Sequence, residues 1–356
     1  MTFPRTLRLH CTIAALAGAC LVIFARTASA QAFLPPGGEG NVTIAYQNLF
    51  TRGHLDLNGE RMTGESGRDP TETHSITWEA EYGLSNRLAV NTSIPYIRSK
   101  YGGSMPHRVM GVGPPQEWDD GEYHGTFQDF RVAVRYNITS RPLALTPFVE
   151  AIVPSHHYPS LAHAAVGKDL HALVVGAAAG KFLDRLAPGL FFTTQYSYTR
   201  TEAIVGIRPN RSRVDAEVGY FVTPRLALRF LESYQVTHDG FDLISFKPMT
   251  NALFHSDGTE IPSAYRRYHD QLQRANFLNL GGGVGFALND SVEIFAAAAK
   301  TVWGESVHPL RGLSVGANVH FRTRSRSGPG SSHQAQRRLP EWATPPGDVR
   351  RRLGSI

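Results

Sequence analysis

Cysteine is nearly missing from this chain of 356 residues: it has two, Cys11 and Cys20, and both lie close to the N-terminus. Arginines precede an apolar run over 11–24 there, and Ala28-Ser29-Ala30 follows as a small-residue cleavage site. This arrangement is typical of a secretory signal. We therefore predict a signal peptide over residues 1–30. The chain that remains after cleavage would have no disulfide framework and no thiol catalyst.

Long hydrophobic runs are also missing. No stretch beyond residue 30 approaches 18 continuous apolar residues, which excludes helices that span a membrane. The mean hydropathy is mildly negative, at -0.23. That value is compatible with a membrane β-barrel, because only every second residue of a barrel strand faces lipid.

An excess of positive charge is missing from the body of the chain, although the net charge is +6. Three of the 36 basic residues lie in the predicted signal and eight follow Phe321, which leaves 25 against 28 acidic residues between Gln31 and Phe321. This acidic balance argues against a nucleic-acid partner for the body. Residues 322–356 are rich in Arg, Ser, Pro and Gly, and we predict a disordered basic tail there, facing the periplasm.

Short, similar turn sequences recur along the chain. The clearest run over Tyr82–Val90, Tyr220–Leu228 and Phe286–Ile294: an aromatic residue closes one alternating stretch, a tight polar turn follows, and a second alternating stretch begins. Each predicts a hairpin of antiparallel strands. Longer polar connections separate the hairpins, so that short and long connections alternate. This asymmetry is typical of transmembrane β-barrels.

The pattern predicts twelve strands, most of them close to the ~9–11 residues that a tilted strand needs to cross a bilayer. In the second strand, Ile76 and Trp78 share one face while Glu79 and Glu81 share the other. A soluble sandwich shows the same alternation, but the connections 98–126 and 237–274 are too long for a compact one. We therefore predict an all-β fold, a transmembrane antiparallel up-and-down β-barrel over residues 31–321. The predicted strands are 42–50, 74–82, 88–97, 127–136, 143–153, 169–181, 189–200, 212–221, 225–236, 275–287, 292–303 and 311–321.

Aromatic residues mark the ends of the strands that run toward the short turns. Such residues favour the lipid headgroup boundary, where an amphipathic ring satisfies both phases. We predict one aromatic girdle formed by Tyr82, Tyr136, Phe182, Tyr220, Phe286 and Phe321.

Charged residues of both signs alternate with apolar residues along the predicted strands, and we expect the charged ones to line the lumen. A twelve-strand barrel encloses a narrow interior, wider than one of eight strands and narrower than a porin. For each charge, contact with a solute and simple stabilisation of the wall remain open alternatives. The candidates are Glu79, Glu81, Asp129, Arg131, Arg135, Glu150, Asp215, Glu217, Arg229 and Glu293.

Catalytic and metal patterns are weak. His255-Ser256-Asp257-Gly258 approaches the motif of an outer-membrane phospholipase family, but it lies in a long connection rather than on a strand. His156, His157, His163 and His171 crowd one connection without accompanying cysteines or carboxylates, so surface histidines are favoured over zinc ligands. Gly281-Gly282-Gly283 lies within a predicted strand and not before a helix, where close packing of a barrel wall is favoured over phosphate binding. We expect no catalytic residues, no metal and no cofactor.

Several of these motifs carry a resemblance to a known family. The opening segment over 34–40, the turn over 81–88 and the strand end Ser93-Ile94-Pro95-Tyr96 resemble outer-membrane proteins of the meta-pathway of phenol degradation type, over most of 34–321. The resemblance implies passive uptake of a small organic compound, often an aromatic or hydrophobic one. We expect an outer-membrane channel whose partners are outer-membrane lipid, the solute and the barrel-assembly machinery, with the Pro35-Pro36 segment as a partial plug. A structural or surface-interaction barrel with a closed lumen is the alternative.

Overall fold

The computed structural model describes residues 32–62, 69–107, 115–242, 259–260 and 262–323. The predicted signal peptide, the tail beyond Thr323 and the His255-Ser256-Asp257-Gly258 motif lie outside the described residues, so those predictions stay predictions.

The chain forms a closed antiparallel barrel of twelve wall strands, as predicted. Strands β4 and β5 are two parts of one wall strand, separated at Gln128, and both pair with β3. β1 pairs with β2 on one side and with β13 on the other, which closes the barrel. The strands are β1 Glu39–Arg52, β2 Pro70–Ser85, β3 Leu88–Tyr101, β4 His124–Phe127, β5 Asp129–Tyr136, β6 Ala144–Pro154, β7 Ala172–Phe182, β8 Leu190–Thr201, β9 Arg211–Thr223, β10 Leu226–Thr237, β11 Asn276–Ala287, β12 Val292–Glu305 and β13 Leu310–Arg322.

Alternation along the strands places most large apolar side chains on the outer surface, while polar and small side chains, with a few large apolar ones such as Phe148 and Ile152, face inside. Val132 is 50% exposed while its neighbour Ala133 is 2% exposed, and Val315 is 49% exposed beside Ser314 at 2%. A soluble protein buries its large apolar side chains; this barrel displays them around its whole circumference. The outer surface therefore suits lipid better than water.

The recurring turn sequences have a common structural cause. In three hairpins a side-chain oxygen at the start of the turn accepts hydrogen bonds from the backbone N–H groups two and three residues later. Ser85, Thr223 and Asn289 provide these oxygens, at 2.8–3.2 Å. Such local side-chain to backbone bonds favour tight turns over continued strands.

Five of the six predicted girdle aromatics lie on the outer surface beside the short turns. Tyr136, Tyr220, Phe286 and Phe321 are 39–46% exposed, and Tyr82 stacks against Phe321 with ring centroids 6.2 Å apart. The prediction for Phe182 is wrong. Within β7 the side chains of Val174 and Ala178 face the interior. Phe182 lies four residues after Ala178, an even number, so its side chain faces the same way.

Phe182 consequently packs inside the barrel at the short-turn end. Its ring lies 5.8 Å from Phe191 of β8 and 5.5 Å from Phe33 of the N-terminal segment, measured between centroids. Gly219 makes room for this group, since a Cβ there would lie 2.1 Å from the Phe191 ring.

Six connections, among them the four longest, begin and end at the opposite end of the barrel. They are loop 1 (53–69), loop 2 (102–123), loop 3 (155–171), loop 4 (202–210), loop 5 (238–275) and loop 6 (306–309). Loop 5 contains a 3-10 helix, Ser263–Tyr268, and a short helix α1, His269–Leu272. Among the described residues, no helix has the length and apolar character needed to cross a membrane.

The glycine run Gly281-Gly282-Gly283 lies within β11, as predicted, and not in a phosphate-binding loop. A Cβ on Gly283 would lie 2.9 Å from the carbonyl oxygen of Ala296 on β12. Close approach of two wall strands therefore explains a glycine there.

Candidate functional site

The barrel encloses a cavity of about 600 Å³ at mid-height. Strands from every part of the wall line it, and loop 3 adds residues 166–168 and Leu170. Its surface is mixed, because apolar side chains such as Phe148, Ile152 and Phe277 alternate with charged ones. A volume of this size holds one small molecule.

Six of the predicted lumen charges line this cavity: Glu79, Asp129, Arg131, Arg135, Glu150 and Asp215. Arg131 Nη1 lies 3.1 Å from Glu150 Oε1 on the neighbouring strand. Arg135 Nη2 donates to Gln195 Oε1 at 3.3 Å, and its guanidinium lies 5.0 Å from the Phe148 ring centroid. The arginines are thus held in place by neighbours and still face the cavity.

Of the other four predicted charges, three form a group nearer the short-turn end and Glu81 lies apart from them on β2. Arg229 Nη2 lies 2.8 Å from Glu293 Oε1, and Arg229 Nε lies 3.6 Å from Glu217 Oε1. Glu81 is buried, and its Oε2 accepts a hydrogen bond from Asn41 Nδ2 at 3.2 Å. These residues face inward but do not line the cavity, and their contacts are with the wall.

Loop 3 folds into the barrel, although the sequence predicted only a connection there. Tyr158 Oη donates to Asp129 Oδ1 on β5 at 2.6 Å, and the backbone N–H of Asp169 donates to the same Oη at 3.0 Å. Burial, together with the Asp129 carboxylate, raises the pKa of the Tyr158 phenol, so the hydroxyl stays protonated as a donor. Since loop residues follow no strand periodicity, no sequence pattern pointed to this contact.

Lys168 of loop 3 is a cavity residue that the periodicity could not reveal. Its side chain is half-buried at the cavity wall. Burial lowers the pKa of Lys168, the positive charge of Arg211 lowers it further, and Asp270 opposes both, so that the pKa lies at about 7. The charge of the cavity therefore changes near neutral pH.

The N-terminal segment crosses the inside of the barrel at the short-turn end. The backbone N–H of Gly38 bonds to the carbonyl of Gly83 on β2 at 2.8 Å. On the far wall, the Thr146 hydroxyl of β6 donates to the Ala32 carbonyl at 2.7 Å, and Ala32 packs against Ala144 and Ala178. The predicted position of a plug near Pro35-Pro36 agrees with this path.

Loops pack against one another at the opposite end. Met62 of loop 1, Ile207 of loop 4 and Phe241 and Leu272 of loop 5 form a buried apolar cluster above the barrel. Both ends of the cavity are thus bordered by segments that are not part of the wall.

The loop histidines do not form the group that the sequence suggested. His156, His157 and His171 are exposed, whereas the His163 side chain is 4% exposed and lies among histidines of other loops. Burial opposes the charged form of His163, but Asp270 and Asp119 outweigh it and raise the pKa of His163 to about 9. Burial and the neighbouring imidazoles lower the pKa of His308 well below its usual value.

Comparison with solved structures identifies the fold. The COG4313 outer membrane channel from Pseudomonas putida F1 aligns with a TM-score of 0.58 at 12% identity, over 84% of this chain and all of that chain. The two share one fold. The KdgM porin in complex with disordered oligogalacturonate aligns at 0.39 and 5% identity, over 79% of this chain and 99% of that one. The translocator domain of autotransporter NalP from Neisseria meningitidis aligns at 0.41 and 9% identity, over 80% and 88%.

Sequence comparison adds no family. No family model matches the chain, and no curated protein matches it at a significant level.

Proposed function

We propose that this protein is a bacterial outer-membrane channel for the passive passage of one small organic solute at a time. The observation that supports this most is the cavity of about 600 Å³ inside a closed barrel whose outer surface is apolar. A barrel that served only as a membrane anchor would not require an internal cavity of this size. The shared fold with a solved outer membrane channel agrees with the proposal.

The lining favours a solute that is mainly apolar and carries a polar or charged group. Phe148, Ile152 and Phe277 offer apolar contacts, while Arg131 and Arg135 offer guanidinium donors. Guanidinium groups bind carboxylates and hydroxyls and also stack on aromatic rings. A small aromatic compound fits both features, and the resemblance to proteins of the meta-pathway of phenol degradation type points to the same class.

In this proposal the solute enters among the long loops and leaves past the N-terminal segment. Long loops of outer-membrane barrels face outward and short turns face the periplasm. Loop 3 narrows the path, because Tyr158 and Lys168 bring it into the lumen.

A closed barrel with a structural or surface-interaction role is the second candidate. The observation that favours it is the coverage of both cavity ends, by the apolar loop cluster and by the Ala32 contact with the far wall. If these segments close both ends, passage requires each of them to move.

Swelling of liposomes that contain the refolded protein tests the proposal. We expect swelling with small neutral aromatic and aliphatic solutes and a cut-off as solute size rises. Gln47→Trp places a large ring into the cavity and should reduce the swelling rate; Ile44→Trp, on the lipid-facing side of the same strand, is the matched control.

Two outcomes contradict the channel. Absence of swelling above empty liposomes for every solute would favour the closed barrel. Equal swelling rates for Gln47→Trp and Ile44→Trp would show that the solute does not pass through this cavity.

A further inference from the structure

A dense group of imidazoles and carboxylates lies at the long-loop end of the barrel, and the proposed channel does not use it. Five loops contribute to it. Its members, the loop cluster, are His54 of loop 1, His107 and Asp119 of loop 2, His163 of loop 3, His269 and Asp270 of loop 5, and His308 of loop 6. Residues more than one hundred positions apart in sequence meet here, so the grouping is a product of the fold.

His163 lies at the centre of the loop cluster. Its Nε2 lies 3.3 Å from His54 Nε2 and 3.9 Å from Asp270 Oδ1. His308 Nε2 lies 4.0 Å from the same Asp270 oxygen. One ligand atom each of His54, His163 and His308 lie within 4.8 Å of one another.

These separations are close to the edges of a tetrahedral metal site. With metal–nitrogen bonds of about 2.0–2.1 Å, two ligand atoms of a tetrahedron lie about 3.3–3.4 Å apart. The contact between His163 and His54 already has this length, and the contacts of His163 and His308 to Asp270 would shorten by about 0.5 Å. Asp270 lies outside the group that His54, His163 and His308 form within 4.8 Å, so its carboxylate would have to move toward those three imidazoles to complete the site.

A second carboxylate orients the central histidine. Asp119 Oδ2 lies 3.4 Å from His163 Nδ1, on the side of the ring that faces away from His54 and Asp270. Asp119 is fully buried, and it accepts the backbone N–H groups of His163 and Ala164 at 3.0 and 2.8 Å. A histidine that binds a metal commonly donates its other ring N–H to a carboxylate, which leaves the ligating nitrogen unprotonated.

Hydrogen bonding within the loop cluster is a poorer account of the same contacts. Among the described residues, Asp270 Oδ2 is buried and has no hydrogen-bond partner. Leaving a charged acceptor unsatisfied is costly, whereas a cation would stabilise it. The imidazole contacts at 3.3 Å are also longer than an ordinary N–H to N or O hydrogen bond.

We propose that the loop cluster binds one divalent transition-metal ion of the zinc class, with His54, His163, His308 and Asp270 as ligands and Asp119 as the carboxylate that orients His163. Imidazole nitrogen suits Zn²⁺, Cu²⁺ or Ni²⁺, whereas Mg²⁺ and Ca²⁺ prefer oxygen ligands. The ion would tie together loops 1, 3, 5 and 6 above the cavity. The site does not depend on the channel role.

Titration of the detergent-refolded, EDTA-treated full chain with Zn²⁺ tests the site. We expect one Zn²⁺ per chain in equilibrium dialysis with metal analysis, and little binding of Mg²⁺ or Ca²⁺ at the same concentrations. His54→Gln and His308→Gln should each weaken binding at least about tenfold, since loss of even an outer-shell partner commonly costs 10–100-fold. His156→Gln, an exposed histidine of loop 3, is the matched control and should bind as the unaltered protein does.

Co²⁺ provides a second readout, because its visible absorption reports tetrahedral coordination by nitrogen and oxygen ligands. Heat-modifiable migration in gels checks that each variant retains its barrel. Failure to bind Zn²⁺ in the unaltered protein, or binding that His54→Gln and His308→Gln leave unchanged, would overturn the proposal. If both variants lost the barrel, the Co²⁺ spectrum of the unaltered protein would decide: an octahedral spectrum contradicts the site.

Discussion

Thr146→Val tests whether the N-terminal segment closes the short-turn end of the barrel. The substitution keeps the shape of the side chain and removes its hydroxyl, which donates to the Ala32 carbonyl at 2.7 Å. Thr146 and Ala32 are both 0% exposed, so water cannot replace the lost donor while the segment stays docked.

The expected magnitude follows from the difference between the docked and the detached segment. Thr146 also accepts a hydrogen bond from Asn137 Nδ2 at 3.0 Å, but the substitution removes that bond in both states, and it cancels. What remains is a buried carbonyl without a donor in the docked state and a hydrated one in the detached state. That difference costs about 1–3 kcal/mol. The docked state should therefore lose about 5–150-fold in population relative to the detached state.

Two measurements read this change. Hydrogen exchange of the amides over residues 32–38 reports detachment directly and should accelerate by a similar factor. Single-channel recording in planar bilayers reports its consequence, and the open fraction should rise. Thr77→Val is the matched control, since Thr77 lines the cavity on β2 and the chemical change is the same.

Unchanged exchange in Thr146→Val relative to Thr77→Val would refute the assigned anchor. Faster exchange without any rise in conductance would show that the segment detaches but is not the barrier to flow.

Three further predictions concern the lumen and the wall. Replacing Arg131 and Arg135 with alanine removes two positive charges from the cavity and should shift the reversal potential in a salt gradient toward cation preference; an unaltered potential would give these arginines a purely structural role. Because the pKa of Lys168 is about 7, the cavity gains a positive charge as pH falls below 7, and anion preference should rise there in the unaltered protein but not in Lys168→Met. Val132→Arg puts a charge on the lipid-facing side near mid-strand and should destabilise the barrel by about 2–4 kcal/mol in urea unfolding from liposomes, with Val132→Leu nearly neutral.

The wall was predictable because its information is local. A period of two and a turn-initiating oxygen at Ser85, Thr223 and Asn289 are readable within ten residues of sequence, and the strand number follows from them. Phe182 shows the limit of this reasoning. An aromatic residue at a strand end can face either side of the wall. Phe182 faces inward because it lies an even number of residues after the inward-facing Val174 and Ala178.

The ends of the barrel were not predictable in the same way. His163 meets His54 across 109 positions of sequence and His107 across 56, and no periodicity relates them. Lys168 likewise reaches the cavity, and Tyr158 reaches the cavity residue Asp129, from a loop whose path depends on the finished barrel. One signal was present in the sequence. Most of the histidines of the loop cluster lie in long connections, and a barrel that spans a membrane brings those connections together at one end.

The N-terminal segment at one end of the barrel and the packed loops at the other differ in how easily they can move. This difference indicates which end would limit the rate of passage. The N-terminal segment is fixed to the far wall by one side-chain hydrogen bond, a small alanine contact and the packing of Phe33 against Phe182, and it can detach while every wall pairing remains intact. The long-loop end is held by a buried apolar cluster and by the loop cluster, which join several loops at once. Moving any one of these loops breaks contacts to the others, so opening there is more cooperative. If both must open for a solute to pass, the long-loop end should set the rate, and a metal ion bound at His54 and His163 would slow it further.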